Sequence, residues 1–266
     1  MTITKLNKVL EEIQSTGTTK TPGGKTIKVH GNIDYRKSKI LTHLVQEIKP
    51  LSSLEVGLAY GVSALTICDA LPKTAQSRHI IIDPHQNRKP VWGGIGLYNL
   101  KRAGFEDLIE FYEQPSYRAL PILESRNTKI DFAFIDGWHT FDYTLVDFFY
   151  IDKILNTGGL VAFDDADWPS VRGVCRFIAT NLDYSVYKIP GELLIENEPL
   201  KTPDQNSYNP LDIITKNLRA FFPQLGNEAA RDADKKNDMN LGLRGNLIVF
   251  KKESDDSRKW DHFEPF

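Results

Sequence analysis

The central part of the chain repeats a unit of one apolar strand followed by one helix, and this alternation limits the fold more than any other feature. Apolar strand patterns begin near residues 53, 79, 108, 130 and 160, and helical spacing of apolar residues follows each of them. Strands and helices that alternate in this way build a mostly parallel sheet covered by helices. The sequence therefore predicts an α/β fold with five consecutive strand–helix units.

Further elements are predicted on both sides of these units. Helices are predicted over about residues 3–14 and 35–48, the second capped by Asp34, with a loop at 16–32 between them. A sixth strand is predicted at 184–189 and a seventh at 245–251. Residues 190–244 interrupt the alternation, so we interpret them as an insertion, with one amphipathic helix that includes Leu211 to Phe222. We interpret residues 1–50 as an N-terminal helical lid and residues 51–266 as a single ligand-binding domain.

Composition excludes several classes of protein. The 266 residues include no apolar run near the roughly 18 residues that a membrane span requires, so no membrane association is expected. The formal net charge of −2 predicts no basic surface for nucleic acid. The first residues lack the apolar core of a signal peptide, and the chain has only two cysteines, which predicts a cytoplasmic protein. The apolar leader helix and the Leu211 to Phe222 face could serve a homodimer.

A glycine-containing turn follows the first strand of the alternating region. Within residues 54–63, Gly57 and Gly61 permit a tight turn and a close approach of backbone to ligand, and the following helix presents free N–H groups. The alternative is a turn that binds nothing. The GxGxxG pattern of dinucleotide-binding folds is missing, which argues against NAD. Asp83 ends the second strand, where an acid can accept hydrogen bonds from two ribose hydroxyls; its alternative role is a cap or turn residue.

Three acids follow the fourth and fifth strands of the series. Asp136 ends the fourth strand, Asp164 ends the fifth, and Asp165 comes directly after it. Because neighbouring strands lie roughly 4.8 Å apart, the three carboxylates can converge on one hard cation such as Mg²⁺. No lysine or arginine lies near them in sequence, although a distant residue could supply the compensating charge. The alternative is that Asp164 and Asp165 cap the next helix and that Asp136 accepts backbone hydrogen bonds.

A histidine lies beside the first of these acids. His139 follows Asp136 by three residues, and a neutral imidazole at this position could take a proton from a substrate hydroxyl. The alternative is a hydrogen-bonded structural histidine at the start of the next helix. The glycine-rich stretch from Trp92 to Gly96 lacks a lysine–serine pair, so we interpret it as a rim over a ligand rather than a phosphate loop.

The ordered series of motifs resembles the class I S-adenosylmethionine-dependent methyltransferases over about residues 30–190 and the strand near 246. Glu55-Val-Gly57 with Gly61-Val-Ser63 is similar to their first cofactor motif, and Ile80-Ile-Ile-Asp83 is similar to their second. The stretch from 134 to 165 is similar to small-molecule O-methyltransferases of the catechol and macrolide-sugar types. The resemblance implies a Rossmann-like, doubly wound sheet of seven strands, mostly parallel, with an antiparallel last strand.

The resemblance also implies a role for each matching residue. The methionine part of the cofactor is assigned to Glu55, Gly57, Gly61 and Ser63. Asp83 is assigned to the ribose, Ser116 to the adenine, and Trp138 to the face of the adenine ring, with plain packing as the alternative for Trp138. The family places an acid at each predicted metal position, although catechol-type members have asparagine at the last. In sugar-modifying relatives a histidine at the position of His139 is the suggested base, whereas catechol-type members use a lysine elsewhere.

These observations together predict an S-adenosylmethionine-dependent O-methyltransferase. The predicted acceptor is a hydroxyl of a sugar, a phenol or another small natural product. Asp136, Asp164 and Asp165 are predicted to hold a divalent cation, and His139 to receive the proton. The alternatives are a metal-independent methyltransferase, a cofactor-binding module without turnover, and a nucleotide-binding oxidoreductase, against which the missing GxGxxG speaks.

Overall fold

The computed structural model describes residues 6–194 and 237–266. Its N-terminal region contains helix α1 (Lys8–Thr16), strands β1 (Thr18–Lys20) and β2 (Thr26–Lys28), and helix α2 (Tyr35–Ile48). The two short strands pair as an antiparallel hairpin, where the sequence predicted a loop. Gly24 lies in the connecting turn at φ +80°, a conformation that glycine adopts without steric cost. The Asp34 carboxylate accepts a hydrogen bond from the Lys37 amide at 2.7 Å, so Asp34 caps α2 as predicted.

The main sheet contains seven strands. They are β3 (Ser52–Val56), β4 (Arg78–Ile82), β5 (Ile109–Tyr112), β6 (Ile130–Ile135), β7 (Leu155–Phe163), β8 (Tyr184–Val186) and β9 (Ile248–Lys252). Their order across the sheet is β5-β4-β3-β6-β7-β9-β8. Strands β3 to β7 pair in parallel, while β9 runs antiparallel to both β7 and β8. The predicted mostly parallel seven-stranded sheet with an antiparallel last strand is confirmed.

Helices cover both faces of the sheet. They are α3 (Val62–Ala70), α4 (Ile95–Arg102), α5 (Ser116–Ser125), α6 (Phe141–Ile154), α7 (Pro169–Asn181) and the short α8 (Gly191–Leu194), with a 3₁₀ turn at Glu106–Leu108. One apolar core joins the sheet to α5, α6 and α7, and a second joins the opposite face to α1, α2 and α3. Side chains of alternate parity on each buried strand therefore enter opposite cores, as a doubly wound sheet requires.

The N-terminal region shares one of these two cores. Leu10 of α1 and Leu41 of α2 pack in the same apolar cluster as Phe132 and Phe134 of β6. Among the described residues, 1–50 therefore have no core of their own. The helix predicted to include Leu211 to Phe222, and with it the face suggested for a homodimer, lies outside the described residues. Within the described part of the chain, no helix has the length and apolar character needed to cross a bilayer.

Candidate active site

A cavity of about 620 Å³ opens at the carboxyl ends of β3, β4 and β6. This edge of an open parallel sheet is where α/β proteins bind ligands. Of the residues predicted to bind the cofactor, Gly57, Ser63, Asp83, Ser116 and Trp138 line the cavity. The local βα turns thus bring together, in one place, residues that lie far apart in sequence.

Two glycines shape the turn between β3 and α3. Gly57 has φ +94°, and a Cβ atom on it would lie 2.2 Å from the carbonyl oxygen of Asp136. Gly61 caps α3 at φ +80° but does not itself line the cavity. Ser63, in the first turn of α3, does line it. Gly57 therefore lets the β3–α3 loop and the Asp136 loop touch, while Gly61 sets the direction of the helix.

Asp83 lies at the cavity wall and organises the glycine loop. Its carboxylate accepts hydrogen bonds from the amides of Leu58 at 3.1 Å, Ala59 at 3.3 Å and His85 at 2.7 Å. A carboxylate has about four acceptor positions, so these bonds leave capacity for one ribose hydroxyl. The acid is therefore both a structural acceptor and a candidate ribose ligand.

Glu55 does not reach the cavity, in contrast to the sequence-based assignment. Its side chain is fully buried, and its nearest charged partner is His79 on β4, whose Nε2 lies 3.6 Å from Oε1. Successive residues of a strand point to opposite faces, and Glu55 faces the core beneath α2 and α3 rather than the ligand edge. The structure thus places Glu55 in the core and outside the cavity lining, and its assignment to the cofactor stays a prediction.

Aromatic side chains surround one end of the cavity. Trp138 is 64% exposed, so it is not held by packing, which was the alternative to a cofactor contact. Tyr117 and Tyr143 line the same end, and Tyr143 lies 6.5 Å from the Trp138 ring. Trp92, interpreted from sequence as part of a rim, lines the cavity opposite them. The exposed Trp138 ring is available to a planar ligand.

Asp136, His139 and Asp165 form a compact polar cluster, of which Asp136 and His139 line the cavity. The Nε2 atom of His139 lies 3.3 Å from Asp136 Oδ1 and 3.4 Å from Asp165 Oδ2. One potential ligand atom from each residue lies within 4.8 Å of the others. The cluster has the donor set of a cation site with one imidazole and two carboxylates.

Asp164 is compensated by a lysine from the N-terminal region. Lys37 Nζ of α2 lies 2.5 Å from Asp164 Oδ1 and 3.5 Å from Asp165 Oδ1. Both Lys37 and Asp164 are buried. Sequence reasoning missed Lys37 because it lies more than a hundred residues away in the chain. Its position in an otherwise apolar stripe of α2 was the one available signal.

The acids do not cap a helix. Helix α7 begins at Pro169, its N-cap is Trp168, and no side chain makes a capping hydrogen bond. Asp164 instead accepts a hydrogen bond from the Asp165 amide, and Asp165 is strained at φ +48°. A non-glycine residue at positive φ is uncommon and is often found at functional sites. The capping alternative is therefore not observed.

Burial and mutual repulsion change the protonation of this cluster. Burial, followed by the charge of Asp136, raises the pKa of Asp164 to about 6, although Lys37 opposes this. Burial also raises the pKa of Asp136. The hydrogen bond to Asp136 raises the pKa of His139. Several acids held close together with raised pKa values are typical of sites that bind cations or transfer protons.

The fold is Rossmann-like, with a cavity at the carboxyl ends of its parallel strands. Residues 54–166 match a family described as a methyltransferase domain. Solved structures share the fold. One is an O-methyltransferase from Bacillus cereus in complex with SAH, with a TM-score of 0.54 and 19% identity; the match covers 70% of this chain and 85% of that one. Another is the O-methyltransferase TomG from Streptomyces achromogenes in complex with SAM (TM-score 0.54, 19% identity, 70% and 84%).

Curated relatives match about half of this chain in sequence. Tapetum-specific methyltransferase 1 of Arabidopsis thaliana is 30% identical over 152 residues, which cover 54% of this chain and 60% of that protein. A caffeoyl-CoA O-methyltransferase of Populus kitakamiensis is 29% identical over 144 residues, covering 52% and 56%. The chain thus matches less than two thirds of the length of these relatives. The comparisons confirm the predicted resemblance to class I S-adenosylmethionine-dependent methyltransferases over about half of the chain.

Proposed function

We propose that this protein is an S-adenosylmethionine-dependent O-methyltransferase that acts on a hydroxyl of a small molecule. One observation carries the proposal: the cavity lined by Gly57 and Asp83 extends to Asp136 and His139. A cofactor bound by the first pair would therefore present its methyl group to the second pair. Relatives and structural neighbours that are named O-methyltransferases support this proposal.

The cavity walls suggest how the cofactor is held. Asp83 would accept a hydrogen bond from the ribose, and the exposed Trp138 ring would cover the adenine, whose edge would meet Ser116. Ser63 and the free amides at the start of α3 would meet the methionine part. The Gly31–Ile33 segment lines the cavity from the N-terminal side, which supports the proposed role of residues 1–50 as a lid.

We also propose that a divalent cation binds Asp136, Asp164 and Asp165, which we call the acid cluster. Carboxylate oxygens are the ligands that Mg²⁺ prefers, so Mg²⁺ is the proposed cation. The close approach of carboxylate oxygens from Asp136 and Asp165 supports a cation there, and Asp164 would join once its carboxylate turns from Lys37. His139 would then stay unligated and able to accept a proton. When bound, the cation lowers the pKa of an acceptor hydroxyl that coordinates it. The predicted set of Asp136, Asp164 and Asp165 stays part of the proposal.

His139 would act on the acceptor. Methyl transfer is one displacement, in which the bond from sulfur to the methyl carbon breaks as the bond from the acceptor oxygen forms. The hydroxyl proton must leave during this step, and the neutral imidazole of His139 would take it. Asp136 and Asp165 would hold the imidazole in place and stabilise its charge once it is protonated. The protein's main contribution is the alignment of acceptor oxygen and methyl carbon.

A metal-independent transferase is the second candidate, and the Lys37–Asp164 ion pair favours it. A lysine already compensates part of the negative charge that a cation would otherwise neutralise. In that case His139 alone would be the base, and Lys37 would stabilise the developing alkoxide or phenolate electrostatically. The two candidates share the fold, the cofactor and the acceptor chemistry.

One experiment with two parts tests the proposal. Calorimetry with S-adenosylmethionine, S-adenosylhomocysteine and NAD tests the cofactor, and transfer of a labelled methyl group to catechols and sugars tests the activity. We expect binding of the first two compounds and transfer to at least one acceptor class. Binding without any transfer would indicate a module without turnover, and binding of NAD alone would refute the proposal. Full activity after rigorous metal removal would select the metal-independent candidate.

We further propose a cytoplasmic location. Cys68 and Cys175 are both free and buried in the apolar cores, and no disulfide is formed between them. Burial raises the pKa of both thiols, to about 12 for Cys175, so they are inert. Two unreactive thiols suit a reducing compartment. Localisation of the tagged chain by fluorescence tests this proposal.

A further inference from the structure

A second cavity, of about 610 Å³, is lined in part by Lys37, the lysine that pairs with Asp164. It is bounded by the N-terminal half of α2, by β8 with the residues after it, and by residues 240–249, which lead into β9. Four cationic side chains line it: Arg36, Lys37, Lys188 and Arg244. Among the residues that the structure describes, no aspartate or glutamate lines it. We call this space the basic cavity.

Within residues 6–194 and 237–266, most of the positive charge of the basic cavity has no acidic partner. Among the residues that the structure describes, Arg36, Lys188 and Arg244 form no ion pair, and only Lys37 is paired, with Asp164 and Asp165. The whole chain has 33 basic and 35 acidic side chains, so the cluster does not reflect an excess of basic residues. Like charges gathered around one concave space repel one another unless an anion joins them.

The wall of the basic cavity is fixed to the acid cluster. The Ala166 amide donates a hydrogen bond to the Asn246 carbonyl at 2.8 Å, directly after Asp165. The Arg172 guanidinium donates at 2.7 Å to the carbonyls of Leu243 and Gly245. The segment that carries Arg244 therefore has a defined position relative to Asp165, set by hydrogen bonds to α7 and to the turn before it.

The acid cluster contacts residues of both cavities. Asp136 and His139 line the first cavity, which we call the cofactor cavity, and Lys37, which lines the basic cavity, reaches Asp164 at 2.5 Å. An acceptor molecule whose hydroxyl lies beside Asp136 and His139 would direct its other end past Lys37 into the basic cavity. The walls there also include apolar side chains such as Ile40, Ile189 and Leu247, which suit a carbon skeleton.

We propose that the acceptor substrate carries an oxyanion, a carboxylate or a phosphate, that binds Arg36, Lys188 and Arg244 in the basic cavity. The proposal rests on the proposed function, and it narrows the acceptor from any small hydroxyl compound to an anionic one. A guanidinium group donates two parallel hydrogen bonds to two oxygens of a carboxylate or phosphate. This bidentate contact orients the anion as well as binding it. The anion would thus fix the distance between the bound end of the acceptor and its reacting hydroxyl.

Matched pairs of acceptors test this proposal. The pairs are 3,4-dihydroxybenzoate and its methyl ester, glucuronate and its methyl ester, and glucose 6-phosphate and glucose. For each compound, kcat/KM is measured in the wild type, and its affinity is measured by calorimetry with S-adenosylhomocysteine bound. We expect the charged member of at least one pair to be preferred by about tenfold or more, since one charged hydrogen bond contributes about that factor. The first two pairs report on a carboxylate and the third on a phosphate.

Substitutions of the cationic residues test whether the basic cavity causes the preference for the charged acceptor. Arg36→Gln with Arg244→Gln is expected to abolish it, and Lys188→Gln, at an exposed position that folding tolerates, is expected to weaken it several-fold. The matched control is Lys20→Gln with Lys25→Gln, which removes the same charge from the exposed β1–β2 hairpin and is expected to leave the preference unchanged. Equal use of both members of every pair, or a preference that survives Arg36→Gln with Arg244→Gln and Lys188→Gln, would overturn the proposal.

Failure of the proposed activity would be seen separately. If the wild type binds S-adenosylhomocysteine but methylates none of the compounds, the activity is not supported by this panel, and the affinities decide. Binding of an anionic member that the cavity variants weaken, and the control does not, would still support the basic cavity as an oxyanion site. Absence of such binding, or equal affinity in all variants, would overturn it.

Discussion

Lys37 and Asp164 form a buried ion pair that joins α2 to the end of β7, with 2.5 Å between Nζ and Oδ1. Lys37 of this pair lines the basic cavity, and Asp136 and His139 line the cofactor cavity. One lysine from the N-terminal region therefore completes a site whose other charged residues follow β6 and β7. Helix α2 thus supplies a positive charge that partly balances the negative charge of the acid cluster.

Loss of this lysine should destabilise the protein strongly. Removing one partner of a buried ion pair leaves an uncompensated charge, which costs about 3–5 kcal/mol. We expect Lys37→Met to lower the free energy of unfolding by about that amount in urea titrations at neutral pH. The double variant Lys37→Met with Asp164→Asn should recover much of the loss, because no unpaired charge remains. Equal destabilisation by the single and double variants would contradict a direct interaction.

A cation should bind at the acid cluster in a way that depends on Asp165. We expect calorimetry to detect Mg²⁺ or Mn²⁺ binding to the wild type and a loss of about tenfold or more in affinity in Asp165→Asn, since one charged ligand is removed. Asp107→Asn, at an exposed position in the 3₁₀ turn, is the matched control and should bind as the wild type does. No detectable binding to the wild type would favour the metal-independent candidate, in which Lys37 supplies the positive charge.

The exposed ring of Trp138 should contribute to cofactor affinity. Stacking of an aromatic side chain on a base contributes about 1–3 kcal/mol, so Trp138→Ala should weaken S-adenosylhomocysteine binding by roughly 5- to 100-fold. Trp260 is 97% exposed in the C-terminal segment, outside the cavity lining, and Trp260→Ala is the control. Calorimetry on both variants decides whether Trp138 contacts the adenine. Unchanged affinity in Trp138→Ala would assign the ring to another role.

The sheet and the position of Gly57 and Asp83 at the cavity were predictable because short stretches of sequence mark the ends of the strands. Apolar runs ended by Gly57 or Asp83 mark strand ends, and all parallel strands end at one edge of the sheet. The β1–β2 hairpin escaped prediction because its strands have only three residues each, too few for an apolar alternation. The burial of Glu55 was not predictable because its place in the motif does not reveal which face of β3 its side chain takes.

The charge balance of the site was not predictable from local sequence. Lys37 reaches Asp164 only because α2 packs on the face of the sheet beside α3, a tertiary arrangement that no short motif encodes. The same packing brings Arg36 to the basic cavity, which also needs residues from β8 and from the segment before β9. Sites that combine three distant segments become visible only when the topology is known.

Asp147 should make stability depend on pH. It is buried on α6, and burial raises its pKa to about 7, with Ser116 partly opposing the shift. In the unfolded chain an aspartate titrates near pH 3.9. The folded state therefore binds the extra proton between about pH 4 and pH 7, and stability from this group falls as pH rises through that range and is lost above it.

Asp147→Asn should remove this dependence. We expect the variant to be more stable than the wild type at pH 8, by roughly 2–4 kcal/mol, and to differ much less at pH 4. The measurement is urea unfolding of both proteins at the two pH values. Asp107→Asn serves again as the control and should show the same small difference at each pH. A difference for Asp147→Asn that does not change with pH would show that Asp147 ionises normally.

Gly57 should tolerate no side chain, because its φ is positive and because a Cβ there would clash with the Asp136 loop. Gly104 has positive φ without the clash, so it separates the two effects. Gly57 and Gly104 both have positive φ, of +94° and +78°, so alanine at either position costs about 1–2 kcal/mol in backbone strain. A Cβ on Gly57 would also lie 2.2 Å from the Asp136 carbonyl oxygen, whereas a Cβ on Gly104 meets no atom within 4 Å. Relief of that contact must move the Asp136 loop away from β3.

We therefore expect Gly57→Ala to lose about 3 kcal/mol or more in the free energy of unfolding and Gly104→Ala to lose only the strain. Because Asp136 and His139 lie on the displaced loop, Gly57→Ala should also weaken S-adenosylhomocysteine binding and reduce methyl transfer, while Gly104→Ala should affect neither. Urea titration, calorimetry and labelled methyl transfer measure the three effects. Similar results for the two variants would mean that the contact between the β3–α3 loop and the Asp136 loop is not what positions the site.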